Sequence, residues 1–333
     1  MTQYDYDVYG IGNALVDMAY SVDDIFLIEN DIAKGHMTLV DRLQMERLIS
    51  SLGELAPERA CGGSAANTIF AVRGFGGQAY YSCRVANDST GNYFVSEMRD
   101  AGIMINPQDP ITRGRSGRCL ILVSPDAERS MNSYLGVSEH LTVDQIDEAS
   151  LTRSRCLFIE GYLASSKSGT VAATRAREIA DRNDVSTSLT LSDPTMVNFF
   201  RDALKDILGN GISRLFCNEE EALTWAQTDR LDIAARELSD IAPHVAITLG
   251  PNGSLYVGPD GTRSVAGYDV EAIDTNGAGD MYAGAFLAAI SQQASSFEAA
   301  RFANFAAANI VSRHGARLTS ISAYQELKRA FNS

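Results

Sequence analysis

The chain has 333 residues, 45% hydrophobic and 21% charged, enough to bury a large core as one α/β domain with an elaboration or as two modest domains. A formal net charge of −14 argues against binding nucleic acid or anionic lipid through clustered Lys and Arg. No nucleic-acid or membrane partner is therefore expected, and any phosphate must be held locally.

From the start of the chain, MTQYDYDVYGIGNALVDM lacks the basic start and apolar run of a secretory signal, and no window approaches about 18 uninterrupted apolar residues, so a cytoplasmic location is expected. Five scattered cysteines with no CxxC pair suit a reducing compartment. The four histidines show no metal-ligand spacing. VYGIG predicts a first buried strand. Residues 18–42 then alternate polar and apolar, as do residues 111–135, where SPDAE reads as a turn. These two segments predict a small separate sheet, a lid over the main domain. Between and after them, AYYSCRVA, CLFIEGYL, STSLTLSD, RLFCN and HVAITLG read as buried strands. SAANTIFAVRGF, NYFVSEMRDAG, SGTVAATRAREIADR and FEAARFANFAAANIVSRHG carry helical spacing. Such alternation predicts a mostly parallel sheet with helices on both faces and a site at the carboxyl ends of the strands.

Three nucleotide motifs can be tested. No Gly-Lys dipeptide occurs, which excludes a Walker A loop. YGIGNAL starts like a dinucleotide fingerprint but has Leu15 at the third glycine position. ITLGPNGSLYV, with Gly250 and Gly253 after a strand, reads equally as a hairpin turn. DTNGAGD (274–280) is more distinctive: Gly277 and Gly279 leave backbone N–H groups uncovered between two carboxylates, an arrangement suited to an anion.

CGGSAANT (61–68), SDPTMVNFF (192–200), LFCNEEEA (215–222), ITLGPNGS (247–254) and DTNGAGDMYAGAF (274–286) occur in the order and rough spacing of the ribokinase/PfkB superfamily. The chain resembles that superfamily from GIGNALVD to SRHGAR, and within it is most similar to adenosine kinases. The resemblance implies a single ribokinase-like domain across residues 1–333, a three-layer α/β fold with the β-sheet lid. It implies ATP and Mg²⁺ as cofactors, a small nucleoside or sugar as acceptor, and a monomer or homodimer.

Roles follow from the same resemblance. Asp280 is the expected general base, and Gly277, Ala278 and Gly279 form the anion hole. Asn218 and Glu221 match an NxxE pair, with Glu221 reaching Mg²⁺ through water, while Glu219 and Glu220 face solvent. Thr248, Gly250 and Gly253 would line the nucleotide phosphates and ribose, and Asn309 would border adenine. Asp274 and Asn276, with backbone carbonyls near Ile310, Arg313 and Gly315, would hold a monovalent cation such as K⁺. On the acceptor side stand Asp17, Gly62, Gly63 and Asn67, which suit vicinal hydroxyls, with Asn13 either a binding or a turn residue.

Two departures bear on the acceptor. Tyr162 and Leu163 stand where animal adenosine kinases stack the base between paired aromatics. Arg118, flanked by Arg113 and Arg115, stands where many relatives have Thr; pointing inward it would suit an acidic or phosphorylated acceptor, whereas strand alternation puts Gly117 and Cys119 inward instead. The expected activity is phosphorylation of a nucleoside's primary hydroxyl, adenosine first. The alternatives are a kinase of ribose-like or other small sugars and a catalytically silent ligand-binding regulator.

Overall fold

The apolar runs form the middle of a nine-stranded sheet in the computed structural model, which describes residues 4–106, 113–126 and 128–333. Its strands are β1 (Tyr6–Ile11), β5 (Ala79–Ser82), β6 (Met104–Ile105), β9 (Ser154–Glu160), β10 (Ser186–Thr190), β11 (Arg214–Asn218), β12 (His244–Thr248), β13 (Ser254–Gly258) and β14 (Gly261–Val265). The order is β14-β13-β12-β11-β10-β9-β1-β5-β6, parallel except that β13 and β14 return as antiparallel hairpins. Strands buried on both faces need apolar side chains at every position, and alternate residues serve different cores. Val8, Tyr81, Phe158 and Phe216 enter one core, and Tyr9, Tyr80, Leu157 and Leu215 the other.

The helices Ser64–Gly74, Ala278–Ser291 and Ser296–Val311 cover the first face, and Lys167–Arg182 and Glu219–Ala226 the second, completing the three expected layers. One close approach on the first face positions the site. A Cβ on Gly284 would lie 2.5 Å from the Ala71 Cβ and 2.6 Å from the Thr68 carbonyl oxygen, so glycine alone lets these two helices meet at that distance. One turn earlier on each helix, the same approach brings Asp280 beside Ser64 and Asn67.

A second sheet has five strands in the order β3-β8-β7-β2-β4, comprising β2 (Leu15–Ser21), β3 (Met37–Leu39), β4 (Glu58–Gly62), β7 (Gly117–Val123) and β8 (Arg129–Tyr134). It takes in parts of both segments expected to pair, residues 18–42 and 111–135, but Asp24–Glu29 within the first forms a helix rather than strand, and 111, 112 and 127 lie outside the described residues. It also contains β4, whose sequence ERACG gave no strand signal, paired antiparallel to β2. Pairing of Asp17 with Cys119 and of Cys119 with Ser133 places these three on one face, with Leu15, Ile121 and Met131. Among the described residues no helix is long and apolar enough to cross a membrane.

Candidate active site

A cleft of about 930 Å³ opens between the second sheet and the carboxyl ends of β1, β9, β10, β11 and β12, lined there by Asn13, Glu160, Thr190, Asn218 and Thr248. Its floor is the turn opening the helix Ala278–Ser291. Gly277 adopts φ 76° with the Ala316 backbone against it, a position closed to a side chain. A Cβ on Gly279 would meet nothing within 4 Å, so the turn is open to the cleft there, while the Ala278 N–H donates to the Thr275 carbonyl at 3.3 Å. Asp280 lies in that turn. Its Oδ1 accepts from Ser64 Oγ at 2.7 Å and its Oδ2 from Asn67 Nδ2 at 3.0 Å. Burial pushes its carboxyl up to about 6 against the opposing pull of these two donors.

Above this floor stand Asp17, Asn67 and Gly63. Burial raises Asp17 to about 7, with Arg317 lowering it and Asp280 raising it further. Gly62 lies under Asp17 rather than in the cleft: a Cβ there would collide with the Asp17 carboxylate. Asn67 is buried and its Oδ1, itself buried, lacks a protein partner. Tyr162 lines the wall, its hydroxyl pushed up by burial.

Asn13 lines the cleft, yet its polar atoms are engaged by the protein. Its N–H and Nδ2 both donate to Glu160 Oε1, at 2.6 and 2.7 Å, while Oδ1 accepts from Ser138 and its carbonyl from Tyr81. Glu160 Oε2 accepts from the Ala65 N–H at 2.8 Å, and burial raises this fully buried carboxyl to about 7. Glu160 thus joins the end of β1 to the helix carrying Ser64 and Asn67. The only sequence signal for it was an acidic residue closing an apolar strand, and Ser64 passed unnoticed between Gly63 and Asn67.

On the other side of the cleft, Asn218 and Glu221 form a capping box at the start of the helix Glu219–Ala226. The Asn218 N–H and Nδ2 donate to Glu221 at 3.1 and 2.8 Å. Burial pushes Glu221 up to about 7, opposed by the Asn218 N–H and reinforced by Asp193. Glu219 and Glu220 are exposed on the same rim. Thr248 and Gly250 line this side, and Gly250 has open space where a Cβ would be. Gly253 does not line it: it ends a 3₁₀ turn at φ 88°, packed on the backbone of residues 265–267 in the hairpin to β13. Asn309 is also outside the cleft, its Nδ2 turned back to the Phe305 carbonyl at 2.9 Å.

Asn276 borders the cleft, but Asp274 sits behind the loop and is already partnered. Its Oδ1 accepts from the Asn276 N–H at 3.1 Å and its Oδ2 from the Gly315 N–H at 2.8 Å and from Arg129 Nη1 at 2.7 Å. The cation held by this carboxylate is the guanidinium of Arg129 from the second sheet, so the carboxylate itself does not fit the expected K⁺ site. Arg129 gave no sequence signal. Arg118 does not line the cleft, whereas Cys119 does.

Among known proteins, the pfkB family of carbohydrate kinases matches residues 53–323. The structure of adenosine kinase from Sinorhizobium meliloti is 33% identical, covers 98% of this chain and 99% of its own, and superposes with a TM-score of 0.87. That of a probable sugar kinase from Rhizobium etli CFN 42 is 32% identical over 99% of both chains, also with a TM-score of 0.87. Ribokinase of Haemophilus influenzae is 30% identical over 80% of this chain and 86% of its own length.

Proposed function

Because the chain belongs to the pfkB family of carbohydrate kinases, it is an ATP-dependent sugar or nucleoside kinase, and we propose that its acceptor is a nucleoside, adenosine first. The observation that carries this reading is the composition of the cleft wall. The second sheet presents Leu15, Cys119, Ile121, Met131 and Ser133 to the cleft, Leu135 lines it just after β8, and no Lys or Arg is among the described residues lining it. A free pentose would leave that apolar wall against water, and a sugar phosphate would find no cationic side chain among the described residues lining the cleft. A nucleoside supplies hydroxyls for Asp17 and Asn67 and an apolar base for the wall. The 33% identity to the Sinorhizobium adenosine kinase supports adenine as that base.

In this reading the primary hydroxyl approaches Asp280, which takes its proton as the oxygen attacks the γ-phosphorus in line. Charge developing on the transferred group meets the N–H groups of Gly277 and Gly279, with that of Ala278 shared with the Thr275 carbonyl, and the positive end of the helix dipole. The triphosphate runs past Thr248 and Gly250 towards Asn218. A Mg²⁺ at this cleft would keep most of its waters, as this ion usually does beside a triphosphate. Glu221, with Asn218, would hold such an ion through its waters, and the ion would neutralise phosphate charge. The second sheet serves as the lid that shields transfer from water. A silent regulator has no need of a carboxylate held beside uncovered helix-start N–H groups.

The test is ATP consumption with nucleosides, pentoses, hexoses and sugar phosphates as acceptors. Adenosine is expected to give the highest kcat/KM; faster turnover with ribose or a sugar phosphate overturns the nucleoside reading.

A further inference from the structure

The two donors on Asp280 differ in kind. Asn67 Nδ2 can only donate, and Asn67 is 7% exposed within the helix Ser64–Gly74, so its amide fixes Oδ2. Ser64 carries a hydroxyl that rotates freely between donor and acceptor roles. Serine near a helix start ordinarily serves nearby backbone amides, but this helix has no side-chain cap, and the Ser64 hydroxyl instead reaches Oδ1 of a residue 216 positions away.

A substrate hydroxyl must reach the base as Ser64 does, with its oxygen in hydrogen-bond range and its proton aimed at the carboxylate. Ser64 therefore occupies the position an alcohol acceptor needs, and one bond rotation vacates it. With that position empty of both, water fits it. The water would give one proton to Asp280 while its oxygen bonded the γ-phosphorus; the bond from that phosphorus to the bridging oxygen would break, its electron pair leaving on ADP, with phosphate as the second product. We propose that Ser64 holds the base against water until an acceptor displaces its hydroxyl, and so ties ATP cleavage to transfer. Ser64 is in this sense a positioning residue, and its role rests on the phosphotransfer reading with Asp280 as base.

The experiment follows ADP release from Mg-ATP, with and without adenosine, in the wild type, Ser64→Ala, Ser64→Thr and the double variant Ser64→Ala/Asp280→Asn. Ser64→Ala is expected to raise acceptor-free release about tenfold relative to acceptor-dependent release, the worth of one hydrogen bond to a charged group. Ser64→Thr keeps the hydroxyl and should stay near the wild type, and the double variant should fall back to it. Acceptor-free release no higher in Ser64→Ala than in the wild type overturns the proposal, as does equal release from Ser64→Thr or from the double variant. The phosphotransfer reading fails separately, if no acceptor in the wider panel stimulates ADP release by the wild type.

Discussion

The two ends of the cleft are built around similar carboxylates in opposite ways. Glu221, at the nucleotide end, accepts the N–H and Nδ2 of Asn218, three residues before it. Glu160, at the acceptor end, accepts the N–H and Nδ2 of Asn13, 147 residues before it, and adds the Ala65 N–H. Burial raises both to about 7. The first unit is a helix start that can form as soon as its own segment folds. The second exists only after β1, β9 and the helix Ser64–Gly74 have come together, so the placing of Glu160 depends on the tertiary structure far more than that of Glu221 does.

The largest expected effect lies where the two ends meet. Asp280→Asn keeps the shape of the floor and the hydrogen bond from Ser64, but removes the proton acceptor. Turnover should fall by roughly 10²- to 10⁴-fold with ATP and acceptor affinities nearly unchanged, measured by steady-state kinetics and calorimetry. The wild type should show kcat/KM rising through about pH 6 as Asp280 ionises. Full turnover by the Asn variant would remove Asp280 from the base role and leave the two ends without a shared centre.

That contrast also marks what could be read from the sequence. DTNGAGD, the NxxE pair and GGSAANT are contiguous, their chemistry lies within a turn or two, and the parallel strands announce themselves as apolar runs. Glu160 and Arg129 are different: each looks like an ordinary charge at the end of a strand until its distant partner is known. Gly250 and Gly253 sit three apart and look alike in sequence; only the return of β13 and the backbone of residues 265–267 assigns Gly253 to a turn. Asn309 lies on a helix whose rotation turns its amide back to Phe305. β4 is short and begins Glu-Arg, and it pairs because β2 offers it an edge.

A smaller effect is expected where the second sheet touches the loop behind the floor. Arg129 and Asp274 are 15% and 6% exposed at the side chain, so removing the guanidinium leaves a mostly buried carboxylate with backbone donors alone. Arg129→Met should lower turnover by about tenfold, the scale of one charge-assisted hydrogen bond, through a less ordered Gly277–Gly279 turn. Wild-type turnover should be insensitive to exchange of Na⁺ for K⁺, since the guanidinium already serves Asp274. Strong K⁺ activation of the wild type, or an Arg129→Met variant with normal turnover, would show that the ion pair does not order the loop.

The last expected effect is on stability rather than rate, and it tests whether burial or hydrogen bonding dominates at Glu160. This carboxyl is fully buried and accepts three hydrogen bonds, yet burial raises it to about 7 from an ordinary 4.5. A raised folded value means that between about pH 4.5 and 7 the folded chain binds the proton more tightly than the unfolded chain. The resulting stability is fully present below the unfolded value and is lost as pH rises through about 7. Gln is close to the protonated acid in shape, but its amide nitrogen cannot accept from the Ala65 N–H as the acid's hydroxyl oxygen can, so Glu160→Gln should be less stable than the wild type near pH 5 by about 1 kcal/mol. At pH 8 the wild type carries the buried charge and the variant does not. Glu160→Gln should then be the more stable of the two, by at most on the order of 3 kcal/mol, while acceptor KM rises because Ala65 loses its partner. Glu221→Gln should show the same trend in stability but raise KM for ATP instead. Thermal unfolding at the two pH values decides the matter: a Glu160→Gln variant less stable than the wild type at pH 8 would mean that the three donors outweigh burial, and that the ionised carboxylate is what holds the acceptor end together.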